Sequence, residues 1–286
     1  MKLARTRDGR LIAVRGDQAL EVGSALGASG PDPLLSYFDG GGTLERLLAV
    51  ELDGLPMSPV SAHDLAAPIG RPRKIIGAPV NYLDHKVEMN EQKTIAEYGV
   101  FLKANSSVLA PGGDIRLPYT DQRTDQEGEL AIVIGRRAHH VTAAQALEFV
   151  FGYTAVLDIT VRSTEDRSTR KSYDTFTPLG PWIVTADEIP DPDSLDLKCW
   201  VGGELRQHTN TRDLIFSVAD LVSYASHVMT LEPGDIIASG TPAGVGAISA
   251  GQEVAVEIER IGRLSVGVSD DHAIPYAERP GPGRLA

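Results

Sequence analysis

The sequence predicts an α+β fold dominated by strands, with a small β-rich N-terminal domain ahead of a larger one. Apolar residues alternate with period two through Leu195, Leu197 and Cys199, through Val254, Val256 and Ile258, and through Leu264, Val266 and Val268. Turn residues sit between such runs at hairpin spacing, as at Gly202-Gly203 and Ile261-Gly262. Helical periodicity is sparse, the regular strand–helix alternation of a Rossmann or TIM fold is missing, and no G-x-G-x-x-G or G-K-[ST] loop follows a strand.

Taken in order, Asp8-Gly9 and Gly16-Asp17 divide the first residues into short strands around Leu3, Leu11–Val14 and Ala19–Val22. Thr43 is placed to cap a short helix over Leu44–Leu48. Residues 66–72, Ala-Ala-Pro-Ile-Gly-Arg-Pro, read as a linker, giving domains at 1–70 and 71–275. The second domain opens with the strand Lys74–Gly77. Thr142 to Gln145 forms a capping-box pattern, with Ala143, Ala146, Leu147 and Val150 as an apolar stripe closed by Gly152. Ser217 starts a second helix with Leu221, Ala225 and Val228 on one face. The Pro/Gly-rich end, 276–286, is expected to be a disordered tail.

Composition narrows the function. The 286 residues carry a net charge of −12, which disfavours nucleic acid as a partner. No apolar run is long enough to span a membrane, and the first residues lack a signal-peptide core. The single cysteine, Cys199, lies in an apolar strand pattern and fits a buried thiol in a reducing cytoplasm.

Four clusters carry chemistry. Glu127 and Glu129 are two apart in a strand-like run, so they share a face roughly 7 Å apart. Two carboxylates so close repel unless a cation lies between them, and oxygen donors favour Mg²⁺, Mn²⁺ or Ca²⁺. Asp158, in the apolar run Gly152–Val161, is a third candidate ligand or the partner of Arg162 in a buried ion pair. His85 and Glu88 are three apart and meet on one face of a helix, where a carboxylate orients an imidazole as a general base; the same spacing also suits an exposed helix of mixed charge. Lys171 is a cation for an anionic substrate or a solvated loop lysine. The turn Gly240-Thr241-Pro242-Ala243-Gly244 follows a strand and offers backbone N–H groups and a hydroxyl to a carboxylate, or is only a turn.

In this order the clusters resemble the fumarylacetoacetate hydrolase family. The matching pieces are Lys74-Ile75-Ile76 with Asn81-Tyr82-x-Asp84-His85, Phe101-Leu102-Lys103 with Pro111-Gly112 and Pro118, and Glu127-x-Glu129-Leu130. They continue through Gly152-Tyr153-Thr154 with Asp158 and Arg162, Lys171 with Gly180-Pro181-Trp182, and Gly203-Glu204 with Gln207 and Asn210-Thr211. They end at Leu231-x-Pro233-Gly234-Asp235 and Gly240-Thr241-Pro242-Ala243-Gly244-Val245-Gly246, so the likeness covers about residues 74–268. It implies a mixed β-sandwich roll, Mg²⁺ or Mn²⁺ held by Glu127, Glu129 and Asp158, and Lys171 as the active-site cation. It implies His85 and Glu88 as a catalytic pair on a lid that orders with ligand, and a homodimer. Thr241 matches the position that holds a substrate carboxylate, with Gly240, Arg162 and Tyr82 as further substrate contacts.

The activity so implied is metal-dependent hydrolysis of a C–C bond in a 2,4-diketo acid. Maleylpyruvate and fumarylpyruvate, acylpyruvates of aromatic-compound catabolism, are the leading substrates. An oxaloacetate-type decarboxylase or a hydroxymuconate-type isomerase would use the same metal site, and a non-catalytic metal-binding scaffold is the reading from another class. Two departures from the family pattern stand out. Pro79-Val80 replaces Gly-x before Asn81-Tyr82, and Glu165 replaces a Gln seven residues after Asp158, where an acid needs a partner such as Arg162, Arg167 or Arg170.

Overall fold

A computed structural model describes residues 1–281 of the chain. Among them, twelve strands build one mixed sheet, five build a second, and three short strands a third. At the middle of the large sheet lies Gly128–Ile134, paired antiparallel with Val150–Leu157 on one side and Ile236–Ala238 on the other. Every residue of Gly128–Ile134 is buried, because the strand is covered on both faces. Leu130, Ile132 and Ile134 pack into a core with Leu197, Cys199, Val256 and Leu264 of the five-stranded sheet. Ala131 and Val133 join Leu3, Leu11, Phe38 and Leu47 from the N-terminal segment. A strand covered on both sides reads as an unbroken apolar run, as this one does.

That second cover explains how the N-terminal strands are used. The expected hairpins form at Lys2–Thr6, Leu11–Arg15 and Gln18–Glu21, but Lys2–Thr6 also pairs with Thr177–Thr185, so the large sheet continues through them. The stretch expected as a linker is part of the core, with Ala67 at 2% and Ile69 at 0% exposure. Two apolar side chains on the connection lie buried because the sheet face beneath them must be shielded from water.

The helices depart from the sequence pattern in two places. Thr43 caps Leu44–Leu48 through a bond accepted from the Arg46 N–H, and Ser217 with Asp220 makes a full capping box for Val218–Val228. On that second helix Val228 is exposed, and Val218 and Val222 complete the buried face. The helix expected after Thr142 covers only Ala143–Ala146, followed by a 3₁₀ turn at Leu147–Phe149. The Thr142 hydroxyl bonds the Gln145 side chain and leaves the backbone uncapped. Val150 and Gly152 belong to the next strand, since β-pairing across eight residues outweighs one weak helical turn.

Of the expected tail, Tyr276–Glu278 forms a 3₁₀ turn, and the Tyr276 ring lies 4.9 Å edge-on to Tyr119. Residues 282–286 lie outside the described residues. Arg279 stacks on Tyr276 at 3.8 Å and reaches Glu165 at 3.6 Å. The partner of Glu165 is therefore this C-terminal arginine.

The strand that ends at Asp158 tolerates no side chain at Gly152, where a Cβ would stand 2.3 Å from the Val184 carbonyl oxygen. Gly152→Ala is expected to cost about 1–3 kcal/mol or more from this overpacking. An unchanged urea midpoint would contradict the packing described.

Candidate metal centre and active site

The site is assembled where strands end. Glu127 lies at the break between Thr124–Gln126 and Gly128–Ile134, Glu129 in the first turn of the pleat beyond it, and Asp158 just past Val150–Leu157. The Asp158 N–H bonds the Glu127 carbonyl at 2.8 Å, which locks the two strand ends together. All three carboxylates are buried, at 5%, 2% and 2% exposure. Each offers one oxygen to a set lying within 4.8 Å of one another. Convergent oxygen donors with this burial fit a hard divalent cation.

Around them stands a shell of cations. Lys171 donates to Glu127 Oε2 at 2.6 Å, Asp158 Oδ2 at 2.6 Å and Thr160 Oγ1 at 2.7 Å. This lysine is thus buried and fully committed, and the alternative of a solvated loop side chain is excluded. Arg162 donates its Nε to Asp125 at 2.6 Å and its Nη2 to Glu127 at 2.8 Å. Asp158 does not pair with Arg162. Its other oxygen takes Lys103 Nζ at 2.5 Å, and Lys103 also bonds the Phe176 carbonyl.

The carboxylates consequently differ. Burial opposes the charge on Glu127, but Lys171, Arg162 and His85 outweigh it and hold its pKa far below the usual range. Glu129 has no ion-pair partner among the described residues and receives only the Gly240 N–H, at 2.7 Å. Burial, then repulsion from Asp158 and Glu127, raise its pKa well above the ordinary carboxylate value. Here the site has anionic capacity left over, which a divalent cation would satisfy.

The helix Leu83–Glu88 brings His85 to the cavity wall. His85 Nδ1 lies 3.3 Å from Glu88 Oε2, and Glu88 Oε1 accepts the Gly244 N–H at 3.0 Å. Glu88 thereby orients the imidazole and ties the helix to the far turn. Gly244 has a φ of +98°, and a Cβ there would lie 1.9 Å from the Arg206 carbonyl oxygen, so only glycine fits. Val80, one of the departures from the family pattern, has a φ of +52°, which is strained for a β-branched residue. Asn81 holds it in place by donating to the Phe216 and Ser239 carbonyls and accepting the Phe216 N–H. The cavity beneath, lined by His85, the three carboxylates, Arg162, Lys171 and Thr241 among others, has a volume of about 70 Å³. Small-molecule sites usually enclose roughly 300 Å³ or more, so the space left over the carboxylates is small.

Other expected contacts fall differently. Thr241 lines the cavity, but its hydroxyl donates to the Gly128 carbonyl and accepts from Gln207 Nε2. The Gly240 N–H meets a carboxylate belonging to the protein itself, Glu129. Tyr82 is 0% exposed and absent from the cavity wall, since the strand-to-helix turn directs it inward, where its hydroxyl lacks a partner. Lys103, Asp125 and Gln207 were not singled out from the sequence as site residues. Two had a visible signal: Asp125, Glu127 and Glu129 alternate on one face, as do Phe101 and Lys103 about the exposed Leu102.

Residues 74–269 match the model of the fumarylacetoacetate hydrolase C-terminal domain. The chain belongs to the fumarylacetoacetate hydrolase family. A relative from Aquipseudomonas alcaligenes, maleylpyruvate hydrolase, is 42% identical over 94% of this chain and 99% of its own. Among solved structures, maleylpyruvate hydrolase from Sphingobium sp. SYK-6, in complex with manganese(II) and pyruvate, superposes with a TM-score of 0.82 at 38% identity. It covers 96% of this chain and 100% of that one. A 2-hydroxyhepta-2,4-diene-1,7-dioate isomerase from Mycobacterium marinum gives a TM-score of 0.76 at 34% identity, covering 95% and 99%. The family's mixed fold is the one seen here, and no helix among the described residues is long and apolar enough to cross a membrane.

The raised pKa of Glu129 has a sign that titration can check. Below that pKa the metal-free site holds a proton on Glu129, which a metal must displace, so affinity falls as pH falls. Calorimetry with Mn²⁺ is expected to show affinity weakening by up to about tenfold per pH unit on the acid side. Glu129→Gln should bind Mn²⁺ at least about 10²-fold more weakly and with a flatter pH dependence, because one ligand charge and its proton are both gone.

Proposed function

We propose that this protein hydrolyses the C3–C4 bond of acylpyruvates, with maleylpyruvate as substrate, releasing pyruvate and a carboxylic acid. The observation that carries the reading is the oriented pair His85–Glu88 closing over three convergent buried carboxylates. Decarboxylation or isomerisation requires no attacking water, whereas a general base held by a carboxylate is suited to making one. The likeness to two maleylpyruvate hydrolases over nearly the whole chain supports the same substrate.

Glu127, Glu129 and Asp158 would hold Mg²⁺ or Mn²⁺, which would supply Lewis-acid polarisation to the keto-acid head of the substrate. His85, steadied through Nδ1 by Glu88, takes a proton from a water as the oxygen attacks C4. The C3–C4 bond then breaks, its electron pair passes to C3 as pyruvate enolate, and the proton held on His85 returns to C3. Lys171, with its donors spent on Glu127, Asp158 and Thr160, fixes the ligand carboxylates and adds positive charge beside the developing enolate. We further assign the protein to the cytoplasm as a homodimer; the lone buried cysteine and the family resemblance support this.

The deciding assay follows loss of the enol absorbance and couples pyruvate release to lactate dehydrogenase. Metal-dependent release from maleylpyruvate is expected, and release abolished by a chelator. Consumption of oxaloacetate or a hydroxymuconate with no acylpyruvate turned over would overturn the reading. His85→Ala is expected to lower kcat by at least about 10²-fold while Mn²⁺ still binds, and near-normal kcat in that variant would remove His85 from its role.

A further inference from the structure

The cavity wall carries more positive charge than the metal ligands use. Arg162, Arg167, Arg170 and Lys171 all line it. Lys171 and Arg162 are bound to carboxylates. Among the described residues, Arg167 and Arg170 form no ion pair. The Arg167 guanidinium lies over the Tyr98 ring, 4.2 Å from its centroid. Arg170 is steadied by one bond from Nη1 to the Ser163 carbonyl at 3.2 Å, while its Nε is buried without a partner. The acid on this side of the cavity, Glu91, is engaged by the Tyr98 hydroxyl at 2.5 Å. Burial first, then repulsion from Arg162 and Arg167, pushes the Arg170 pKa below its ordinary value.

Two guanidiniums without counter-ions, one with an unsatisfied buried N–H, call for an anion. Among the described residues no carboxylate pairs directly with either, and Glu127 and Asp158 act on Arg170 more weakly than burial and the neighbouring arginines do. On the hydrolysis proposed above, the α-keto acid head of the substrate is held at the metal end of the cavity. We propose that Arg170, with Arg167 beside it, binds a second carboxylate at the far end of the acyl group. The enzyme then selects acylpyruvates whose acyl part is itself a carboxylic acid, as in maleylpyruvate, over those ending in an alkyl group. This rests on the acylpyruvate hydrolysis proposed above and adds the residues that read the other end of the molecule. Guanidinium suits the task because its planar fork can grip a carboxylate with two parallel bonds, and Tyr98 stacking holds Arg167 without consuming its charge.

The test compares maleylpyruvate with acetylpyruvate, which has the same chelating head and no distal carboxylate. Wild type, Arg170→Gln, Arg170→Lys and Arg167→Gln are assayed with Mn²⁺, with Mn²⁺ affinity and Tm measured on each. Arg170→Gln is expected to lower kcat/KM for maleylpyruvate by about 10–10²-fold, mainly through KM, as loss of a charge-assisted contact predicts. The loss on acetylpyruvate is expected to be at least about tenfold smaller. Arg170→Lys should recover part of the loss, and Arg167→Gln should shift the same ratio in the same direction, which keeps the test open if Arg170→Gln fails to fold. An equal loss on both substrates, or none on maleylpyruvate, overturns the proposal. So does a wild type that turns over acetylpyruvate but not maleylpyruvate, although the hydrolase reading then stands. A wild type that releases pyruvate from neither refutes that reading and the proposal with it.

Discussion

Three carboxylates buried within 4.8 Å of one another are an electrostatic liability, and much of this structure serves to manage it. Left alone in a low-dielectric interior they would take up protons and lose their value as ligands. Lys103, Lys171 and Arg162 offset part of the charge, and each does so at a fixed angle. Glu129 is left without a cation. The site is therefore neither neutralised by the protein nor free of compensation, a balance that keeps it folded while reserving affinity for a divalent ion.

The surrounding architecture follows from that constraint. Strand ends are suited to hold such groups, because ladder pairing fixes the backbone up to the last residue and the next side chain is free to turn inward. Gly128–Ile134 and Val150–Leu157 provide the rigid part, and the Glu127–Asp158 backbone bond closes the gap between them. The N-terminal segment contributes no residue to the site's charge network. Its role is to cover Ala131, Val133 and Val156, the face of the central strands turned away from the five-stranded sheet. Without that cover the strands that position the ligands would expose an apolar face to water.

Lightly packed parts sit opposite the rigid ones. The helix Leu83–Glu88 is six residues long and is tied down through Glu88 to Gly244 and by pairing at its entry, where Tyr82 bridges to Leu214. Leu83 and Val87 on it, and Met89 at its C-cap, are exposed, so little apolar burial anchors it. The strained backbone at Val80 lies just ahead of it and is retained by the Asn81 clamp. The His85–Glu88 pair rides on a weakly anchored element above carboxylates on a strongly anchored one, an arrangement suited to local opening without disturbing the carboxylates.

The sequence by itself determined the local features of this protein. Period-two alternation and turn residues placed the hairpins and put Glu127 with Glu129, three-residue spacing put His85 with Glu88, and Ser217 marked the start of the long helix. These are readable because strand and helix periods act over a few residues and need no knowledge of the rest of the chain. The ordered series of motifs extended that to the family and to Asp158. Tertiary structure alone decided the partners. It gave Asp158 to Lys103 and Lys171, fifty-five positions before it and thirteen after, and not to Arg162. It turned Tyr82 into the core, cut the helix after Thr142 short in favour of a strand, and brought Arg279 to Glu165. Each of those outcomes depends on which strand ends meet in space, and a pairing between distant segments is set by the burial of whole sheet faces, which no local spacing encodes.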